Sequence, residues 1–212
     1  GGFDNSRYKY YDAVRGPVPP QYILEPRDII IVLTDLGREG SILGCPGRVP
    51  EIPTHCTPSS ERQYFLHNQR IGRVILQSEK ISSDFLYWLL RSKNYRHHIL
   101  ATASGSTVKH TSPRRIKDFR FPLPPLEEQT AAANLLNALE TRIQLLESTS
   151  ILLLKTVMTL FREWFISPDE QKPLPLSAFG KIVCGKTPSK VVNHYFGGPV
   201  PFIKIPDLRN RV

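Results

Sequence analysis

Residues from about Leu126 to Phe165 contain neither proline nor glycine, and this stretch constrains the fold more than any other part of the sequence. Pro124 and Pro125 precede it, where prolines fix the start of a helix. At a rise of 1.5 Å per residue, a helix over this stretch would be about 60 Å long. We therefore predict one long helix in the middle of the chain.

Apolar side chains recur along this helix at alternating spacings of three and four residues, with Ser150 as the one polar member. The pattern covers four heptads and is typical of a coiled coil. The alternative is a long amphipathic core helix, which usually carries a wider apolar stripe. The predicted coiled-coil seam comprises Leu136, Leu139, Ile143, Leu146, Leu153, Val157, Leu160 and Trp164.

The segment before the long helix has the pattern of a mixed domain of short elements. Ser82 is in position to cap a helix that continues to about Ile99. Upstream, β-branched runs alternate with glycine-rich and proline-rich segments, which predict strands, turns and loops. We expect strands over residues 28–34, 42–44 and 73–76, a turn over residues 35–41 and a loop over residues 46–60.

The segment after the long helix begins with a proline-rich linker. A strand followed by a turn is predicted over residues 179–186, and a second strand over residues 200–205, without the hydrophobic pattern that would complete a domain. The predicted fold class is α+β. It comprises a mixed α/β domain over residues 1–122, a long coiled-coil spacer helix over 123–167, a linker over 168–176 and the opening strands of a second such domain over 177–212.

The formal net charge of +9 is distributed unevenly along the chain. Residues 1–122 carry 18 basic and 11 acidic side chains, residues 123–175 carry 4 and 7, and residues 176–212 carry 6 and 1. Basic ends around an acidic middle are expected if the ends contact an anion. Nucleic acid is the first candidate and an anionic membrane surface the second. No apolar run approaches the roughly 20 residues of a membrane span, so we expect no membrane partner.

Searches for catalytic and metal-binding motifs favour a non-catalytic protein without a cofactor. A phosphate-binding loop, an H-E-x-x-H zinc helix and a G-x-S-x-G elbow are all absent from the sequence. The adjacent His97 and His98 would face different sides of a helix and bind one metal only with difficulty. Ser106 and Lys109 match an S-x-x-K pattern, but its companion motifs are missing. Three cysteines without metal or redox spacing favour a reduced, cytoplasmic protein.

The order of several segments resembles one protein family. Residues 121–129, Phe-Pro-Leu-Pro-Pro-Leu-Glu-Glu-Gln, lead into the heptad helix, and residues 105–112, Gly-Ser-Thr-Val-Lys-His-Thr-Ser, come shortly before. In this order they resemble the specificity subunits of Type I restriction–modification enzymes, in a partial or half-length form. Further segments similar to that family are residues 34–36, 66–73, 185–189 and 201–208.

This resemblance implies sequence-specific recognition of a bipartite target in double-stranded DNA, with the basic segments as target recognition domains. It also implies protein partners. Modification subunits would dock on the helix and hold S-adenosylmethionine, and a restriction subunit would cut the DNA. The alternative function is a non-catalytic coiled-coil adaptor whose basic lobes bind protein or another nucleic acid.

The candidate DNA contacts are polar and cationic residues of the predicted loops. Lysine and arginine suit phosphates, asparagine and glutamine pair with adenine, and arginine pairs with guanine. Each of these residues could equally be a solvated surface group or could satisfy nearby backbone groups. The set comprises Arg38, Ser41, Asn68, Gln69, Arg70, Lys109, His110, Arg114, Arg115, Lys186, Thr187, Ser189, Lys190 and Arg209.

The lengths of the helix and the linker predict an antiparallel homodimer. Residues 1–122 resemble a recognition domain without its opening, and residues 176–212 resemble an opening without its domain. A linker of about ten residues spans at most about 35 Å, which is less than the length of the helix. One chain therefore cannot easily join its own two pieces, whereas an antiparallel pair places each tail beside the partner's domain.

We predict that Leu146→Asp disrupts self-association through the seam. The substitution places an unpaired charge in a dry contact, at a cost of several kcal/mol. The variant should sediment as a monomer or fail to fold, whereas the wild-type chain should sediment as a dimer. A soluble variant with an unchanged mass in analytical ultracentrifugation would contradict the coiled-coil prediction.

Overall fold

The computed structural model describes residues 9, 11, 16, 18–51, 64–166, 174–189, 191 and 197–205. The chain divides into two compact units, Gly1–Arg142 and Ile143–Val212. The first unit contains all the strands and short α-helices of the described part. These are β1 (Ile23–Leu24), β2 (Ile29–Val32), β3 (Thr34–Asp35), β4 (Pro46–Arg48), β5 (Phe65–Leu66), β6 (Ile71–Arg73), α1 (Ser83–Leu89), α2 (Lys93–Thr102), β7 (Lys109–His110) and α3 (Pro113–Lys117), followed by the long helix α4 (Leu126–Phe165).

Strand β2 lies at the centre of the first unit and is buried on both faces. It pairs antiparallel with β4 on one side and β6 on the other, while β1 pairs with β5 and β3 pairs with β7. Alternate β2 side chains enter two different clusters, because successive residues of a strand face opposite sides. Ile30 packs with Leu24 and Val49. The other face of β2 contributes to a core of Ile29, Ile31, Leu43, Tyr87, Leu90, Tyr95 and Ile99.

The strand predicted over residues 28–34 exists, but it changes partners at Leu33. Ile29–Val32 belongs to the three-stranded sheet, and Thr34–Asp35 pairs with β7 instead. Between them, the N–H of Leu33 donates to the carbonyl of Arg70 at 2.8 Å, and its carbonyl accepts from the N–H of Thr111 at 2.9 Å. The predicted strand at residues 73–76 is found slightly earlier, as β6.

The turn predicted over residues 35–41 is confirmed, and a buried carboxylate organises it. The Asp35 carboxylate accepts from the N–H of Gly37 at 2.7 Å and from that of Ile42 at 2.8 Å. These two donors hold the pKa of the Asp35 carboxyl below its ordinary value. The neighbouring Gly40 and Gly44 have left-handed backbone angles, with φ of 65° and 71°.

The strand expected over residues 42–44 is therefore wrong, because these residues continue the turn. The loop expected over residues 46–60 is wrong at its start, where Pro46–Arg48 forms β4, and residues 52–60 lie outside the described residues. Arg96 of α2 holds the turn in place. Its guanidinium donates to the carbonyls of Gly40 at 2.9 Å and Ser41 at 3.0 Å, and also to the carbonyl of Leu43.

The single helix predicted from Ser82 to Ile99 is wrong, because the structure has two helices there. The chain turns between Leu90 and Ser92, and the Ser92 hydroxyl then accepts from the N–H of Tyr95 at 3.3 Å. This side-chain cap begins α2 and competes with continuation of α1. Ser82 precedes α1 as predicted, but its side chain makes no capping bond.

The helix predicted from Leu126 to Phe165 is confirmed, and its first turn is anchored by the fully buried Gln129. The Gln129 side-chain oxygen accepts from the N–H of Ser82 at 2.9 Å. Its side-chain nitrogen donates to the carbonyls of Lys80 at 2.9 Å and Pro124 at 2.8 Å. One amide thus joins the helix, the segment before it and the segment before α1.

The same face of α4 continues this contact over the next three turns, within the first unit. Ala133 is buried, and the Asn137 side-chain oxygen accepts from Trp88 Nε1 at 2.8 Å and Arg48 Nη1 at 3.0 Å. One turn further, Glu140 forms an ion pair with Arg91. The spacing of these residues is that of one helix face, so α4 begins as an integral part of the domain.

The second unit contains the rest of α4, and its apolar side chains are exposed. The seam residues of this part, from Ile143 to Trp164, are between 39% and 67% exposed, and Leu136 and Leu139 of the first unit are also exposed. By length and composition alone, α4 could span a membrane, and the window that meets this criterion is not buried. The expectation that no apolar run approaches the length of a membrane span is therefore wrong for this helix.

The strands predicted over residues 179–186 and 200–205 are absent from the described part of the second unit. Leu176–Ala178 forms a short 3-10 helix, and the residues beyond it have no strand pairing. Phe179, Ile182 and Val183 are all more than 70% exposed. A strand requires a hydrogen-bonded neighbour, and no described segment of this unit supplies one.

We predict that Gln129→Ala lowers the free energy of unfolding by roughly 2–4 kcal/mol, because it leaves one N–H and two carbonyls without partners and opens a cavity. The matched control is Asn134→Ala, at an exposed residue five positions after Gln129 on α4. The control should change stability by no more than about 0.5 kcal/mol. Urea unfolding of the full chain measures both, and equal losses would contradict the anchoring role of Gln129.

Candidate nucleic-acid interface

The partner change at Leu33 brings distant candidate residues to one end of β2. Leu33 bonds to Arg70 through its N–H and to Thr111 through its carbonyl. One residue further, Thr34 is paired with His110, and the Thr34 hydroxyl lies 3.1 Å from His110 Nδ1. The turn at residues 68–70 and strand β7 therefore flank the same short stretch of backbone. Their separation in the sequence concealed this arrangement.

The turn at residues 68–70 presents three exposed polar side chains. The Asn68 side-chain oxygen accepts from the N–H of Arg70 at 3.0 Å, and this bond fixes the turn. The Gln69 amide and the Arg70 guanidinium have no hydrogen-bond or ion-pair partner among the described residues. Both side chains are therefore available to an external ligand.

A tight hairpin over residues 104–110 lies beside β3. Ser104 and His110 exchange two backbone hydrogen bonds, of 3.0 and 2.8 Å. Gly105 has φ of 91°, and a Cβ added there would lie 2.0 Å from the carbonyl oxygen of Val108. Only glycine fits this position. The hairpin therefore requires the glycine that begins the Gly-Ser-Thr segment.

Two adjacent arginines on α3 have different environments. Arg115 Nη1 donates to the Ser104 hydroxyl at 2.9 Å, and the Arg115 carbonyl is bonded to His98 Nε2 at 2.8 Å. Arg115 therefore supports the base of the hairpin. Arg114 is exposed and has no side-chain partner in the described part of the chain. Ser112 caps this short helix by accepting from the N–H of Arg115 at 3.4 Å.

The turn over residues 35–44 lies against the hairpin. A Cβ placed on Gly40 would lie 3.5 Å from the Cγ of Lys109. Arg38 and Ser41 are exposed on this turn. Arg96 holds the turn from α2, and no sequence pattern predicts this role, because its partners are backbone carbonyls more than 50 residues away.

Nine of the predicted contact residues lie on these four adjoining segments, and the remainder lie elsewhere. Lys186, Thr187 and Ser189 belong to the second unit, where all three are exposed. Lys190 and Arg209 lie outside the described residues. The nine are Arg38, Ser41, Asn68, Gln69, Arg70, Lys109, His110, Arg114 and Arg115.

This surface has the chemistry of an anion-binding and hydrogen-bonding face. Its side chains are mainly cations and neutral donors, which suit phosphate oxygens and the edges of bases. Among the nearby carboxylates, Asp35 is 4% exposed and bound to backbone N–H groups, whereas Glu39 of the turn and Asp118 after α3 are exposed. No group of three potential metal ligands occurs among the described residues.

Comparison with known proteins gives a consistent set of relatives. Residues 58–155 match the family model described as "Type I restriction modification DNA specificity domain". The chain is 28% identical over 126 residues to the Type I restriction enzyme MjaVIII specificity subunit of Methanocaldococcus jannaschii, covering 59% of this chain and 27% of that protein. It is 30% identical over 128 residues to the EcoBI specificity subunit of Escherichia coli, covering 60% and 23%.

A shorter match is closer in sequence. Over 37 residues, 18% of this chain and 8% of the relative, the chain is 60% identical to the HindI specificity subunit of Haemophilus influenzae. The chain spans about a quarter of the length of the MjaVIII and EcoBI proteins. Residues 58–155, which the family model matches, include the 104–110 hairpin, α3 and most of α4. These elements contain the segments on which the resemblance in the sequence was based. Over this segment, the chain is similar to the specificity subunits of Type I restriction enzymes.

Proposed function

We propose that this chain recognises a specific sequence in double-stranded DNA as the specificity subunit of a Type I restriction–modification complex, and that it catalyses no reaction itself. The single observation that carries the proposal is the exposed donor surface at the end of β2. There, residues from four separate segments converge, and most of their side chains lack partners within the described part of the chain.

Two kinds of DNA contact are expected on this surface. Gln69 and Arg70 project from a fixed turn and have the donor patterns that pair with adenine and guanine. Arg114 and Lys109 form no ion pair within the described part of the chain, which leaves their charges available to phosphates. Arg115, by contrast, donates a hydrogen bond to Ser104. Its expected role is to support the hairpin, whose other residues would contact the DNA.

The seam of α4 supports an antiparallel homodimer that binds a bipartite target. Leu146, Leu153 and Val157 are 54%, 60% and 60% exposed in the single chain. A partner helix would cover them, with a gain of roughly 25 cal/mol for each Å² of apolar surface removed from water. Two recognition domains at opposite ends of the paired helices would contact two half-sites separated by a spacer. The exposed residues of the second unit, including Lys186, Thr187 and Ser189, would then complete the partner's surface.

A second apolar stripe on α4 supports docking of the modification subunits. Its residues follow the seam residues by one position, so they are turned by about 100° around the helix. The rings of Phe161 and Phe165 lie 5.2 Å apart within it. A pairing helix covers one stripe and leaves the other to a different partner. The second stripe comprises Ile151, Leu154, Met158, Phe161 and Phe165, all of which are exposed.

These partners would supply the chemistry that this chain lacks. The modification subunits would hold S-adenosylmethionine, and a restriction subunit would cut the DNA, in the cytoplasm. A membrane partner for α4 is less consistent with its sequence, because both stripes repeat every three or four residues, as in helix–helix pairing. The coiled-coil adaptor remains the alternative, and competition with unrelated DNA and RNA in a gel-shift assay separates it from DNA recognition.

The unpartnered Arg114 provides the test of DNA binding. We predict that the full chain binds mixed-sequence duplex DNA at low salt and that its affinity falls steeply as salt rises, because bound phosphates release counter-ions. Arg114→Ala should weaken binding and reduce the slope of log affinity against log salt by about 1. Fluorescence anisotropy with a labelled duplex measures both quantities.

The matched control is Lys93→Ala, an exposed cation at the start of α2. It removes the same charge from the chain, so a change equal to that of Arg114→Ala would indicate only a general charge effect. Affinity that stays constant between low and moderate salt would count against DNA recognition and favour the adaptor.

A further inference from the structure

The tip of the 104–110 hairpin is rigid although it is exposed. Its ends are joined by the two backbone bonds between Ser104 and His110. Two further elements hold these residues by their side chains: Arg115 of α3 bonds to Ser104, and Thr34 of β3 bonds to His110. Gly105 fixes the direction of the first turn. The tip is therefore pre-organised, which lowers the entropic cost of binding.

The polar groups of the tip are unused in the described part of the chain. The hydroxyls of Ser106 and Thr107 are exposed and make no hydrogen bond there. The backbone N–H groups of Ser106, Thr107 and Val108 also donate to no described acceptor. The half-buried Lys109 begins β7 directly after the tip, so these donors fall within four consecutive residues of the chain.

The charge of Lys109 is also not neutralised locally. Its cross-strand neighbour is Asp35, in the register of the β3–β7 pair. The Asp35 carboxylate, however, is buried and accepts from the N–H groups of Gly37 and Ile42. The nearest acid on the paired strand is thus committed to the turn, and Lys109 makes no ion pair among the described residues.

We infer that this tip binds one phosphate group of the DNA backbone, through the hydroxyls of Ser106 and Thr107 and the ammonium group of Lys109. A phosphodiester is an anion whose oxygens only accept, and hydroxyls, backbone N–H groups and lysine are its usual partners in proteins. The short side chains of Ser106 and Thr107 require close approach of the backbone, which the glycine at position 105 and the narrow hairpin allow. The inference rests on the proposed function and assigns it two contacts beyond the predicted set.

The test compares a neutral and a charged variant of the tip in the full chain. The probe is a labelled duplex of mixed sequence, because a phosphate contact does not depend on sequence. Ser106→Ala combined with Thr107→Val should weaken binding about tenfold, since bonds to a charged acceptor are lost. The slope against salt should stay unchanged, because neither residue carries charge. Lys109→Gln should weaken binding and also reduce that slope by about 0.9.

Ser83→Ala, at an exposed serine on α1, is the control and should bind as the wild-type chain does. Thermal unfolding should be the same for all variants, because the substituted side chains have no described partners. If the wild-type chain binds and the double variant binds equally well, the inference is overturned while the proposed function stands. A loss confined to one DNA sequence would also overturn it, in favour of base contacts. A wild-type chain that binds no duplex at low salt would overturn the proposed function itself.

Discussion

The buried amide of Gln129 is the contact on which the packing of the first turns of α4 within the first unit depends. Its oxygen accepts a hydrogen bond from the N–H of Ser82, and its nitrogen donates to the carbonyls of Lys80 and Pro124. A buried polar group that is fully satisfied specifies one geometry, because any other docking of the helix would leave partners unpaired at a cost. Once the first turn of α4 is fixed, the same helix face places Asn137 against Trp88 and Glu140 against Arg91.

The proposed DNA-contact surface depends on a second backbone constraint, the change of partner at Leu33. Because Leu33 bonds to the segments at Arg70 and Thr111, a turn and a hairpin from distant parts of the sequence lie side by side. Asp35 and Arg96 then hold the intervening turn from within. The residues that hold this surface in place, Leu33, Asp35 and Arg96, are therefore different from the exposed residues that would contact a ligand.

The sequence predicted regular periodic elements well and long-range contacts poorly. The α4 helix was predictable because forty residues without proline or glycine carry a repeating apolar pattern. The break between α1 and α2 was not, because a serine that caps a helix resembles any other polar residue until its hydroxyl is placed. Candidate loops were found by residue type, but the different roles of Arg114 and Arg115 depend on a hydroxyl eleven residues away. The predicted strands after residue 177 had no neighbour to pair with among the described residues.

The measurement that tests the account most directly is selection of bound duplexes from a random-sequence DNA pool by the purified full chain, followed by sequencing. A homodimer with one recognition surface at each end should enrich two short half-sites, related by two-fold symmetry and separated by a spacer of fixed length and unselected sequence. Enrichment of one contiguous site would contradict the proposed paired-helix arrangement. No enrichment over the starting pool, despite binding, would contradict sequence recognition by this chain.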